Sequence, residues 1–228
     1  MSVGHTRDAS GTDYNRNIYY SWPQIVARDY GNVALNFGIS GITAKGWMSD
    51  SKCYTRVIDT DNKCQCYIIG LGANDAEDLS IYSRGIGTTA DIDFSDMSNN
   101  ADSFIGWYAK IIHTINTVNP TAIVFLLTLG YTRDQSTNGK NINQAIRDMS
   151  TLSGFDNVLL VDLSTYDDIL KNNAFYGQLW GGHYSALGYA NVARLLEYAI
   201  SKVMNEYDDG RMLFEIPFIP YGSNNVLD

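Results

Sequence analysis

Positive charge is scarce in this chain. Its 228 residues carry 16 lysines and arginines against 25 aspartates and glutamates, a formal charge of -9 and a pI near 4.7. Affinity for a phosphate backbone comes mainly from lysine and arginine, so the balance argues against a nucleic-acid partner. Long apolar runs are missing as well. The longest, residues 122–127, falls far short of the roughly 20 residues a bilayer-spanning helix needs, which argues against a membrane role. The amino end shows no basic segment followed by an apolar one, so no secretory signal is visible and the compartment stays undetermined.

Cysteine and histidine are few. The three cysteines, Cys53, Cys64 and Cys66, are an odd number, and a Cys-x-Cys pair with no second pair lacks the four ligands of a structural zinc site. They read as structural thiols. Of the three histidines, His113 falls off the apolar stripe of its helix and His5 sits in a polar amino-terminal stretch, which leaves His183. No repeat or low-complexity linker divides the chain.

What remains is an ordinary globular composition, 45% hydrophobic and 18% charged, at a length that suits one α/β domain. Four short runs, residues 33–37, 66–71, 122–128 and 157–163, are almost wholly apolar. Continuous rather than alternating apolarity predicts strands buried on both faces, as in a parallel sheet. Helical patterns lie between them at 22–30, 102–118, 140–152 and 185–206; Ser21 precedes the first as an N-cap and Pro23 sits in its first turn. Strands alternating with helices predict βαβ units and a three-layer α/β fold. A single domain over 1–228 is expected, with an irregular stretch at 1–20 and a carboxyl-terminal arm at 207–228. Two long loops, 42–63 and 75–100, are expected. The second holds Asp91, Asp93 and Asp96, whose spacing lacks the rest of a calcium loop and reads as a solvated acidic segment.

In an open α/β sheet, ligands collect at the carboxyl ends of the strands. There the sequence reads Gly38-Ile-Ser-Gly41-Ile-Thr43, then Gly72-Ala-Asn74-Asp75, and before the last helix Gly181-Gly-His183-Tyr-Ser185. A backbone N–H, a side-chain amide and an imidazole on one rim suit acyl transfer: a base for a hydroxyl, and donors for a developing oxyanion. A helix starting near Ser185 would put its positive end by His183 and disfavour the imidazolium, leaving the neutral ring that accepts a proton.

In ordered series, Ser21-Trp-Pro23 through Gly41, Gly72-Ala-Asn74-Asp75, and His183 with Gly188 resemble the blocks of the SGNH (GDSL-type) hydrolases, esterases and lipases on a flavodoxin-like parallel sheet. The resemblance spans about residues 21 to 200. It implies that the Gly41 N–H and the Asn74 amide are oxyanion donors, that His183 is the general base, and that no metal or cofactor is required. It also implies a small ester or acylated carbohydrate as substrate, acetyl groups included. The family's aspartate three residues before the histidine is Trp180 here, so the Trp180 main-chain carbonyl is the candidate orienter of His183, with Asp162 and Asp167 as alternatives. No Gly-Asp-Ser occurs in the sequence. Met1-Ser-Val-Gly4 fits the family's continuation of that motif, which puts the nucleophilic serine immediately before Met1 and leaves the first strand missing. A shifted alignment makes Ser2 the nucleophile instead. The apolar arm at 212–221 is a candidate to fill the missing strand's place or to mediate homo-oligomerisation, and a non-catalytic binding or structural module on the same fold is the alternative function.

Overall fold

A computed structural model describes residues 6–7, 13–14, 21–78, 85–130, 136–170, 178–179, 183–184 and 186–206. Three of the four apolar runs form a parallel sheet of β3 (Cys66–Ile69), β4 (Ile123–Leu127) and β5 (Val158–Val161), with β4 in the middle. Cys66 pairs with Ile123 and Val124 with Val158, and the registers run on from there. All five β4 side chains are buried. The reason is that successive residues serve opposite faces. Val124 and Leu126 join one core cluster, while Ile123, Phe125 and Leu127 join the other.

The first face is covered by helices α2 (Ala44–Ser49), α3 (Tyr54–Ile58), α5 (Phe104–Val118) and α6 (Thr137–Ser150). The second is covered by α1 (Trp22–Asp29) and α8 (Ala186–Glu206), which bury Trp22, Val26, Tyr189, Val192, Leu196 and Ile200 against it. Each of the longer helices on the first face begins where its cap dictates. Ser103 Oγ accepts the Gly106 N–H and starts α5; Ser136 Oγ accepts the Gly139 N–H and starts α6 a turn earlier than the apolar pattern alone suggests. The remaining elements are a small α4 (Ala73–Asp78), a short α7 (Asp167–Leu170) and two two-residue hairpins. The hairpins pair β1 (Thr6–Arg7) with β2 (Asp13–Tyr14), and β6 (Gln178–Leu179) with β7 (His183–Tyr184). The carboxyl-terminal arm and Met1 to His5 lie outside the described residues.

Three expectations need correction. Residues 33–37 form no strand. Their carbonyls are taken by side chains rather than by a ladder: Gln24 Nε2 donates to Ala34, Arg56 to Asn36 and Trp47 Nε1 to Phe37. Val33 is 88% exposed. An apolar segment is a strand only when another strand lies alongside, and among the described residues none does. The stretch 42–63 is not a loop but holds α2, α3 and a 3-10 turn at Thr60–Asn62. The stretch 75–100 likewise opens within α4 and contains 3-10 turns at Thr89–Asp91 and Met97–Asn99. Elements this short carry too few residues for a period to show.

Candidate active site

The carboxyl ends of β3 and β4 are shaped by α6. After β3 the chain passes through Gly72, whose φ of +123° places it in a region closed to most side chains; a Cβ there would lie 2.8 Å from Ile142 Cγ2. This close turn launches α4, with Ala76 N–H bonded to the Gly72 carbonyl at 2.8 Å. Asn138, in the first turn of α6, donates to the Ala76 carbonyl and holds α4 from outside. Asn74 and Asp75 therefore stand on a short helical turn that is fixed at both ends.

Each of these two residues reaches across to the segment after residues 33–37. Asn74 Nδ2 donates to the Ile42 carbonyl at 2.9 Å. Asp75 accepts the Ala44 N–H at both carboxylate oxygens, at 3.0 and 3.2 Å. Between them Thr43 caps α2, its hydroxyl accepting the Gly46 N–H at 3.1 Å. Next to Ile42, Gly41 adopts φ +76°, and among the described residues no heavy atom beyond its chain neighbours lies within 4 Å of its Cβ position. Its N–H has no hydrogen-bond partner among the described residues. An amide nitrogen carries two donors, and Ile42 uses one of the pair on Asn74. Among the described residues, two donors, the Gly41 N–H and the second Asn74 N–H, are thus left without a partner at this edge of the fold.

The structure also locates the other sequence candidates. His183 lies on β7, paired in register with Leu179, and α8 begins three residues later at Ala186. Ser2 and Trp180 lie outside the described residues. Asp162 comes after β5, but its carboxylate is engaged elsewhere: Arg147 Nε donates at 2.7 Å, Ser164 Oγ at 2.7 Å and Thr128 Oγ1 at 2.9 Å. Burial raises its pKa, yet these bonds and the Arg147 charge outweigh that and hold it below the usual carboxylate range. Asp167 opens α7. His113 is exposed on α5, as its position off the stripe predicts.

The cysteines are free thiols. Burial pushes Cys66 up to about 12, with the neighbouring Cys64 adding to it, and pushes Cys53 up to about 11. Thiols so far above neutral carry little thiolate, the form that attacks, which argues against a cysteine nucleophile. In the acidic segment the Asp93 carboxylate closes its own loop, accepting from Asn99, Ser95 and Asp96, and these bonds hold it well below the usual range. Among the described residues no group of three or more histidine, cysteine or acidic side chains is arranged to hold a metal ion.

Sequence reasoning singled out Asn74 and Gly41 but missed Asp75, Asn138 and Asn143. Asp75 stands beside Asn74 in the quoted motif. Asn143 is only 2% exposed, and the signal available for it was a polar residue next to the apolar stripe of Ile142, Ile146 and Met149.

A three-stranded parallel sheet flanked by helices matches the α/β fold of SGNH esterases, and solved structures share it. A family two carbohydrate esterase from Clostridium thermocellum, an active-site mutant in complex with celluohexase, superposes with a TM-score of 0.59 at 19% identity; the match covers 90% of this chain and 60% of that one. The chain therefore spans less than two thirds of that esterase. An acetylxylan esterase from Geobacillus stearothermophilus gives a TM-score of 0.52 at 19% identity, covering 86% of this chain and 84% of the other. No curated protein matches the sequence. The family itself is shown by a match over residues 5–190: the chain belongs to the GDSL-like lipase/acylhydrolase family.

Proposed function

We propose that this protein is a serine esterase acting on small acyl esters, with acetyl groups on carbohydrates as the favoured class. The observation that carries it is the 2.9 Å bond from Asn74 Nδ2 to the Ile42 carbonyl, which sets a side-chain amide beside the Gly41 N–H. Two donors of this kind suit an oxyanion, and donors aimed before the reaction need no reorganisation during it. The carbohydrate preference draws on the fold neighbours, a carbohydrate esterase and an acetylxylan esterase.

In this scheme a serine hydroxyl attacks the ester carbonyl as His183 takes its proton. The carbonyl oxygen becomes an oxyanion held by the Gly41 N–H and the Asn74 amide. The C–O bond to the alcohol then breaks, and the imidazolium returns its proton to the leaving oxygen. Water attacks the acyl-serine with His183 again as base, releasing the carboxylic acid and restoring the serine. The Trp180 main-chain carbonyl orients the imidazole. The nucleophile in this scheme is a serine, and Ser2 is the candidate that the sequence offers.

A fluorophosphonate probe tests this directly. Hydrolysis of p-nitrophenyl acetate and of acetylated xylo-oligosaccharides is measured as the probe reacts, and the labelled peptide is mapped by mass spectrometry. The expected result is time-dependent loss of activity with one serine modified. Neither turnover nor labelling would instead make the protein a non-catalytic module on an esterase fold.

A further inference from the structure

We propose that Asp75 is the positioning residue of the Gly41 and Asn74 donor pair: its carboxylate holds the 41–44 segment at the rotation that aims the Gly41 N–H. The inference rests on the esterase reading and adds a residue which that reading does not use.

Gly41 has no side chain to pack, and among the described residues no heavy atom beyond its chain neighbours lies within 4 Å of its Cβ position. Its left-handed φ of +76° is one of several conformations open to glycine, so the chain on either side must select it. On the amino-terminal side the nearest constraint among the described residues is the Gly38 N–H bonded to Asn36 Oδ1 at 2.9 Å, three residues away. On the carboxyl side there are two rungs. Asn74 holds the carbonyl of Ile42, and Asp75 holds the N–H of Ala44. One rung alone is a pivot about which the segment can turn. Two rungs, from consecutive residues of α4 to residues flanking Thr43, stop that rotation.

The chemistry of the second rung suits the task. Ala44 is the first residue of α2, where a backbone N–H has no partner inside the helix. Ala44 is fully buried and Asp75 is 8% exposed, so water is a poor substitute for either group. A charged acceptor makes the stronger bond, and both oxygens of Asp75 lie within reach of one N–H, which restricts rotation more than a single acceptor does. The same carboxylate contributes to keeping the fully buried Tyr108 phenol in its protonated form, though burial itself does most of this.

The test is a cycle of Asp75→Asn, Asn74→Ala and the double variant, assayed on p-nitrophenyl acetate well below each variant's melting temperature. Ala44→Pro provides a second route to the same bond. It deletes the donor while residue 75 stays an aspartate, the ring displacing the carboxylate from the 44 position, at a helix position that tolerates proline and after a residue, Thr43, whose ψ of 169° suits a following proline. Expected are a fall in kcat of about tenfold for Asp75→Asn and for Ala44→Pro with KM within about twofold, and a further loss under about twofold when Asp75→Asn is added to Asn74→Ala, because groups acting as a unit are not additive. Unchanged kcat in both single-bond variants overturns the proposal, and so does a double variant whose loss is the product of the singles, since Asp75 then acts elsewhere in the fold. Absence of wild-type turnover, or Asn74→Ala without effect, is a different pattern. It removes the esterase reading and the role of Asp75 with it.

Discussion

Asn143 serves Leu129 as a neighbouring strand would. The Leu129 N–H donates to Asn143 Oδ1 at 2.6 Å, and Asn143 Nδ2 returns a bond to the Leu129 carbonyl at 3.2 Å. One side chain on α6 thereby satisfies both backbone groups of a residue just past the end of β4. Replacing Asn143 with leucine leaves a buried donor and a buried acceptor unpaired, at about 1–3 kcal/mol each. A urea denaturation midpoint well below that of the wild type is expected, and an unchanged midpoint contradicts this account.

Gly41 and Gly72 both have positive φ but differ in surroundings, so alanine separates them. At Gly72 the added methyl meets Ile142 Cγ2 at 2.8 Å on top of the backbone strain, and Gly72→Ala costs about 1–3 kcal/mol. At Gly41 no described residue comes within 4 Å of the added methyl, so Gly41→Ala is expected to carry the backbone cost alone, about 1 kcal/mol. Esterase activity orders them the other way. Gly41→Ala turns a proposed oxyanion donor and lowers kcat by at least about tenfold. Melting temperature and ester hydrolysis measured on both variants check the crossing.

Acid stability is tied to Asp162. Its folded pKa lies below the ordinary value of 3.8, so its bonds to Arg147, Ser164 and Thr128 stabilise the protein above that pH and are lost as pH falls through the folded value. The ion pair is partly solvated, with side chains 32% and 20% exposed, which keeps its worth modest. Arg147→Met is expected to cost about 1–2 kcal/mol at pH 7 and to move the acid-unfolding midpoint upward. Equal acid midpoints for the two proteins would remove the pair from this role.

Glu197 behaves in the opposite sense. Burial raises it to about 7, the Asp29 charge and hydrogen bond across the α1 and α8 contact add to this, and Arg194 opposes it. Its Oε1 has no hydrogen-bond partner among the described residues. The folded state favours the protonated acid, so this contribution to stability is complete below about pH 4.5 and is lost as pH rises through 7. Glu197→Gln is expected to match the wild type at pH 4 and to melt about 2–4 °C higher at pH 8, the shift about 1 kcal/mol gives in a domain of this size. Thermal melts from pH 4 to 8 decide it.

The central layer of the fold was legible because β4 is buried on both faces. A strand with no exposed side writes itself as an unbroken apolar run, whatever packs on it. The stripe of α8 was equally plain, since Val192, Leu196, Ala199 and Val203 repeat at helical spacing. Residues 33–37 carry the same apolar signal and form no strand, because their carbonyls bond to the side chains of Gln24, Arg56 and Trp47. In the candidate site, Gly72-Ala-Asn74-Asp75 lies where β3 gives way to α4. Its pattern did not reveal that Asp75, and not only Asn74, reaches toward α2.

The amino-acid sequence by itself determined the three strands of the sheet, the longer helices between them and the family to which the chain belongs, because an unbroken apolar run and a helical stripe are each properties of a single stretch. Only the tertiary structure decided what bonds to what. Asn74 meets Ile42 across 32 residues and Asp75 meets Ala44 across 31. A hydrogen bond needs donor and acceptor within about 3 Å, and over such separations that distance is set by how α4 and α2 are held beside the sheet rather than by either segment alone.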